Sequence, residues 1–319
     1  MDNSGDKLKV ALAQIEPIWL NREKTLEKVI SFVKDAASQQ CDLVVFGESI
    51  VPGYPFWLDM TDGAKFNSEK QKTIQAEYAN QAVQIERGDL AQLCQVANEH
   101  HISIYLGIIE RPKDRAGHSL YCSLVYIDAT GIIQSVHRKL MPTYEERLSW
   151  SIGDGHGLRT HPLEKFTLGG LNCWENWMPL ARASLYAQGE DLHVAAWPGN
   201  LKNTFDLTPV IAKEGRSYVL SVCGLMRPSA ARNILPELKA VEDSELNFMA
   251  NGGSCIANPD GSWLIEPQVG SEGLFTAELD HSFVRRERQN FDPAGHYSRP
   301  DVLSLNVNRQ RQSTVSFDD

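Results

Sequence analysis

No stretch of the chain approaches the ~18 consecutive apolar residues of a membrane-spanning helix. The opening residues, MDNSGDKLKVALAQ, lack the charged-then-apolar pattern of a secretory leader. Both absences predict a cytoplasmic protein with no membrane partner. Basic charge is also short: 31 Lys and Arg stand against 41 Asp and Glu, a formal net charge of −10. The densest basic run is VRRER near the C-terminus, which argues against a nucleic-acid partner. The six cysteines (41, 94, 122, 173, 223, 255) form no CxxC pair and sit mostly in apolar runs such as CDLVVF and LSVCGLM. That pattern suits reduced thiols better than disulfides or a zinc site. The nine histidines form no HExxH, so no metal is expected. No GxxxxGK[ST] occurs, and the glycine-rich GDGHG at 153–157 follows no clear strand and leads into LRTHP. It reads as a flexible loop, and no cofactor is implied. No linker rich in Gly, Ser or Pro divides residues 1–319, which predicts one domain.

What is present is ample material for a core, 42% hydrophobic residues with 23% charged. Apolar strands alternate with amphipathic helices. KVALAQI (9–15), CDLVVFGE (41–48) and ISIYLGIIE (102–110) read as strands, and 22–38 as a helix with Leu26, Val29, Ile30, Val33 and Ala37 on one face. Two polar helices are predicted near 67–84 and 89–100. SLVYIDATGIIQSVHRK (123–139) and GSCIANPDGSWLIEP (253–267) read as strand–turn–strand units. Between them lie TLGGLNC, a helix near 179–188 with proline in its first turn, the strand DLHVAAWPG (191–199), a helix over 205–217 and the strand YVLSVCGL (218–225). Strand–helix alternation interleaved with hairpins predicts an α/β fold with mixed sheets and helices on their faces. The loose likeness of CDLVVFGES to EDLHVAAWPG suggests two related sheets packed face to face.

Three stretches place charge or a nucleophile directly after an apolar strand: Glu48 in VVFGES, Lys139 in QSVHRKL, and Cys173 with Glu175 in LNCWENW. Each has an ordinary explanation. A free cysteine is most often a core residue, Glu48 could simply leave a strand, and Lys139 could belong to a solvated tip. Strand ends are nevertheless where side chains converge on ligands in α/β sheets. If these three converge, a desolvated carboxylate could take the thiol proton, and the ammonium would favour thiolate and then the charge developing on the substrate. Trp174 and Trp177 would supply the enclosing walls. Such a site performs acyl transfer without metal or coenzyme.

FGESIVPGYP, HRKLMPTYEER and CWENWMPLAR, in that order, resemble the three signature regions of the nitrilase branch of the carbon–nitrogen hydrolase superfamily. The resemblance runs from about Lys9 to GHYSRPD (295–301), nearly the whole chain. It implies a four-layer α-β-β-α sandwich and a Glu48–Lys139–Cys173 catalytic triad. A second glutamate falls on Glu146, directly before the arginine, and would orient Lys139 or the substrate. It also implies a homodimer or higher homo-oligomer, with residues 281–319 a C-terminal extension packed on a partner subunit. Two departures stand out. Gly47 replaces the commoner proline, which bears on strand-end geometry, and the chain stops soon after GHYSRPDVLSLNV, which argues against large filaments. CWE resembles true nitrilases, and a linear nitrile suits an apolar slot for which Tyr54, Trp174 and Trp197 are candidate walls. Large aromatics are, equally, ordinary core residues. An amidase or carbamoylase with the same triad remains the enzymatic alternative, and an inactive scaffold the non-enzymatic one.

Overall fold

A computed structural model of the chain describes residues 6–236, 248–313 and 315. Its first sheet is built from β1 (Lys7–Gln14), β2 (Leu43–Phe46), β3 (Ser103–Glu110), β4 (Tyr121–Ile127) and β5 (Ile133–Arg138), with β13 (Gly273–Asp280) added beside β1. The second contains β6 (His161–Leu163), β7 (Phe166–Asn172), β8 (Leu192–Trp197), β9 (Tyr218–Cys223), β10 (Leu225–Met226), β11 (Ala250–Ala257) and β12 (Trp263–Val269). Across the first sheet, in the order β13-β1-β2-β3-β4-β5, neighbours pair antiparallel, parallel, parallel, antiparallel, antiparallel. The order β6-β7-β8-β9-β11-β12 repeats that pattern in the second sheet. The likeness read between the two halves is therefore a shared topology.

Period-2 alternation decides which layer each side chain enters. Val10 and Leu12, beside Leu43 and Val45, face the other sheet and pack with Leu168, Val194, Leu220 and Ile256. Ala11 and Ala13, beside Val44 and Phe46, face the opposite way. They pack against Val29 and Val33 of the helix Arg22–Ser38 and Leu93 and Val96 of the helix Ala91–His100. On the far side Leu207, Ile211 and Ala212 of the helix Leu207–Gly215, and Ala181 and Leu185 of the helix Pro179–Tyr186, cover the second sheet. The result is helix, sheet, sheet, helix, as the resemblance implied.

The helix over 22–38 has the predicted bounds, started by the Asn21 side chain accepting from the Lys24 N–H. Its buried face includes Ala36, with Ala37 only partly covered. The single helix predicted for 205–217 is instead two pieces, Leu201–Thr204 and Leu207–Gly215, with Pro209 confined to the first turn of the second, where its missing N–H costs nothing. β13 has no counterpart in the sequence reading. GLFTAELD is only partly buried along most of its length and is recruited through a full antiparallel ladder from Lys7↔Asp280 to Gln14↔Gly273. GDGHG is a built turn and not the free loop expected. Gly155–Gly157 forms a short 3₁₀ helix, Asp154 accepts from the His156 N–H and from Arg311, and a Cβ at Gly157 would lie 2.3 Å from His137 Cα.

Candidate active site

Glu48, Lys139 and Cys173 each follow the end of a strand, β2, β5 and β7 respectively, and the packing of the two sheets brings those ends together. At the first, the Glu48 N–H donates to the Trp197 carbonyl at 3.1 Å, tying β2 to the end of β8 in the opposite sheet. Gly47 is what permits this approach. A Cβ there would lie 2.7 Å from the Trp197 carbonyl oxygen and 2.8 Å from the Gly224 nitrogen. A Cβ on neighbouring Gly107 would reach 2.1 Å from the Gly47 carbonyl oxygen. The backbone around residue 47 thus leaves no room for a side chain, which accounts for glycine at this position.

Lys139, almost fully buried, is tied to β4 by its N–H donating to the Cys122 carbonyl at 2.8 Å. Its ammonium donates to Glu48 Oε1 and to Glu146 Oε2, both at 2.8 Å. Glu146 is held in turn by the Thr143 N–H at 2.6 Å and the Tyr54 hydroxyl at 2.9 Å. Of the adjacent acids in YEER, Glu146 is therefore the one turned inward, while Glu145 lines an outer cavity. Tyr54 also meets Trp150 edge-on, and the Trp150 ring lies 5.4 Å from the Lys139 nitrogen.

Cys173 opens a short 3₁₀ turn, Cys173–Trp177, in a left-handed conformation with φ of 47°. For a residue with a Cβ that conformation costs ~1–2 kcal/mol and persists only where the surroundings hold it. The buried Glu175 is one restraint. It accepts from the Asn172 N–H at 2.9 Å, the Leu140 N–H at 2.7 Å and His137 Nε2 at 3.0 Å, so it joins the cysteine turn to the strand end that carries Lys139. Burial alone would raise the Glu175 pKa, but His137 and the two backbone donors outweigh it and hold the carboxyl below its usual range.

Among the described residues, the carboxylate oxygens of Glu48 and Glu146 and the Cys173 sulfur lie within 4.8 Å of one another. Three such groups could in principle hold a cation. The Lys139 ammonium already stands between the two carboxylates, and the donor set fits an amine. Two carboxylates and one ammonium leave the buried cluster one negative charge in excess. Burial, reinforced by Glu146 and offset in part by Lys139, pushes Glu48 up to about 7. Burial and the two carboxylates push the Cys173 thiol well up, against Lys139 and the Trp174 N–H. Burial would lower Lys139, but Glu48, Cys173 and Glu146 keep it firmly cationic. Glu48 Oε1 is engaged by Lys139 and by the Cys122 thiol at 3.4 Å, whereas Oε2 is buried without a partner.

The three aromatic candidates part company. Tyr54 and Phe56 line a cavity of about 360 Å³ with Asp59, Met60, Glu145 and Met249. The same two rings border a void of about 10 Å³ beside Glu48. Trp197 is buried, with its indole N–H donating to Ser221, and packs in the core that also contains Cys173. Trp174 and Trp177 are about half exposed in the single chain, at 54% and 52%. Cys122 is the neighbour that sequence reasoning missed. Inside the strand YCSLVYI it carries no mark to distinguish it from any buried thiol.

Residues 9–289 match the model of the carbon–nitrogen hydrolase family. A protein described as nitrilase 2, from an unknown prokaryotic organism, is 35% identical over 98% of this chain and 96% of its own length. An aliphatic nitrilase of Rhodococcus rhodochrous is 33% identical over 97% of this chain and 84% of its own. In three dimensions the chain is similar to an amidase from Nesterenkonia sp., with a TM-score of 0.64 at 17% identity, covering 90% of this chain and 95% of that one. That likeness speaks for the sandwich alone, and the match over nearly the full length speaks for the family: the chain belongs to the carbon–nitrogen hydrolases.

Proposed function

We propose that Cys173 is the nucleophile of a nitrilase reaction, with Glu48 as general base, Lys139 as the cation that stabilises developing charge, and Glu146 holding Lys139 in place. The enzyme hydrolyses an organic nitrile to the carboxylic acid and ammonia. The observation that carries the residue assignment is the Lys139 ammonium bridging two buried carboxylates beside the Cys173 sulfur. The Cys173 proton passes to Glu48 Oε2 as sulfur attacks the nitrile carbon. Negative charge forming on the nitrile nitrogen is met by Lys139 and the Trp174 N–H, an interaction worth roughly 3–4 kcal/mol by analogy with single oxyanion-hole donors. Protonation gives a thioimidate. Addition of one water and loss of ammonia give a thioester, and a second water releases the acid and restores the thiol. Glu48 near neutrality suits both proton uptake and return.

Tyr54, which lines both cavities, is the candidate wall this geometry supports for substrate. The nitrile reading is favoured over the amide one because relatives a third identical across the whole chain are described as nitrilases. Ammonia release from nitrile and amide panels, with Cys173→Ala and Glu48→Gln as controls, tests both readings. Each variant is expected to fold and to release no ammonia, and turnover by folded Cys173→Ala would end the proposal.

The protein works as a homo-oligomer. Of the extension expected over residues 281–319, the helix His281–Arg288 packs on its own chain through buried Val284 and the His281–Asp191 contact, and it is the segment beyond that helix that packs on a partner subunit. Supporting this, Val302, Leu303, Leu305 and Val307 are exposed along a segment without regular structure. The tail is anchored further on through Arg311 and Gln312 on Asp154. Truncation after residue 300 is expected to reduce the mass measured by light scattering. Six free cysteines fit work in a reducing cytoplasm, and among the described residues no helix is long and apolar enough to cross a membrane.

A further inference from the structure

A second buried chain of polar groups, separate from Glu48, Lys139 and Glu146, reaches the Cys173 backbone. Asn176, in the turn after the cysteine, donates its Nδ2 hydrogens to the Cys173 carbonyl at 2.8 Å and to the Leu171 carbonyl at 3.3 Å. Those two acceptors decide the amide's orientation, because turning it over would set Oδ1 against two carbonyl oxygens. Oδ1 therefore faces His193 Nε2, 2.8 Å away on β8, and His193 Nδ1 lies 2.8 Å from Glu190 Oε1. Asn176, His193 and Glu190 are fully buried. The arrangement has its own sequence requirement: a Cβ on Gly169 of β7 would stand 2.1 Å from Glu190 Oε1, so the first glycine of TLGGLNC makes room for the carboxylate.

We infer that Glu190, His193 and Asn176 form a buried relay of positioning residues that sets the Cys173 backbone for attack. This rests on the reading of Cys173 as nucleophile. An amide oxygen only accepts, so His193 must carry hydrogen on Nε2, and Glu190 Oε1 and Nδ1 share the hydrogen between them. The carboxylate thus aligns the imidazole, the imidazole aligns the amide, and the amide donates to the one carbonyl whose residue is held at φ of 47°. Arg182 braces the same turn by donating Nη1 to the Asn176 carbonyl at 2.5 Å. Loosening any member lets the turn relax, and a displacement of about 1 Å at a reacting atom lowers turnover by roughly 100-fold without altering the substrate's own contacts.

The test uses the full chain. In the wild-type protein, ¹⁵N and ¹H spectra of the His193 ring are expected to show hydrogen on Nε2 with a downfield-shifted proton. Asn176→Asp, which keeps the shape but removes the donor, is expected to lose roughly 100-fold in kcat. Glu190→Gln is expected to lose at least about 10-fold, and KM in both stays within about three-fold. A bare Nε2 in the wild type overturns the inference even if neither variant folds. So do folded variants whose kcat stays within about two-fold of wild type. Cys173→Ala separates the two layers of argument: if it alone is inactive, only the relay fails, and if it turns over nitrile, the nucleophile reading fails first.

Discussion

The weak hydrogen bond from Cys122 to Glu48 gives the sharpest handle on the proposed base. Burial sets Glu48 at about 7, so kcat/KM for nitrile hydrolysis, which reports the free enzyme, rises with pH through an acid limb there and flattens above it. The Cys122 thiol favours the Glu48 carboxylate by donating to Oε1 at 3.4 Å. A thiol is a poor donor, and about 0.5–1 kcal/mol for this bond corresponds to ~0.4–0.7 pH units at 1.36 kcal/mol per unit. Cys122→Ala should therefore move the limb upward by about half a unit, and Cys122→Ser, with a stronger donor, should move it downward. Ammonia release at subsaturating nitrile between about pH 5 and pH 9 measures both. A limb near the ordinary glutamate value of 4.5, or an alanine variant that shifts downward, would refute the assignment of Glu48 as the titrating base. The same carboxylate has a stability signature. Below 4.5 both states hold the proton, and between 4.5 and about 7 only the unfolded chain releases it. Stability accordingly falls by roughly 3 kcal/mol as pH rises through that window, and denaturant titrations of Glu48→Gln should lack the fall.

Tyr54→Phe removes one of the hydrogen bonds that hold Glu146, and is expected to cost about 10-fold in kcat/KM with little change in melting temperature. Gly47→Ala places a methyl 2.7 Å from the Trp197 carbonyl oxygen, so calorimetry should show a loss of ~1–3 kcal/mol, with activity falling as the β2 end withdraws. Glu175→Gln turns an amide toward groups that now donate to a carboxylate. It should cost a few kcal/mol at neutral pH, most simply read as a lower denaturant midpoint. Because Glu175 is held below the usual range, the wild-type advantage should persist above the ordinary carboxylate pKa and fade as pH drops through the folded value.

Local signals determined a large part of this protein. Apolar period and turn chemistry placed the helix over 22–38, the strands that became β1 to β5, and both hairpins, because those patterns act between residues close in sequence. The motifs around Glu48, Lys139, Glu146 and Cys173 were legible because each couples a strand end to an unusual residue type. Only the tertiary structure decided which groups touch. Glu146 and Glu145 are chemically identical neighbours, and one turn of backbone sends the first to Lys139 and the second to the outer cavity. Trp174 follows Cys173 in sequence yet stands half exposed, while Cys122, ordinary in its strand, reaches Glu48. β13 is assigned by a partner more than 250 residues away, and the pKa of Glu48 by burial and by the charges of Lys139 and Glu146, about 90 to 100 residues on. Contacts between sequence-distant residues leave no periodicity in either segment. Burial and electrostatics are properties of those contacts, so they exist only once the two sheets have packed.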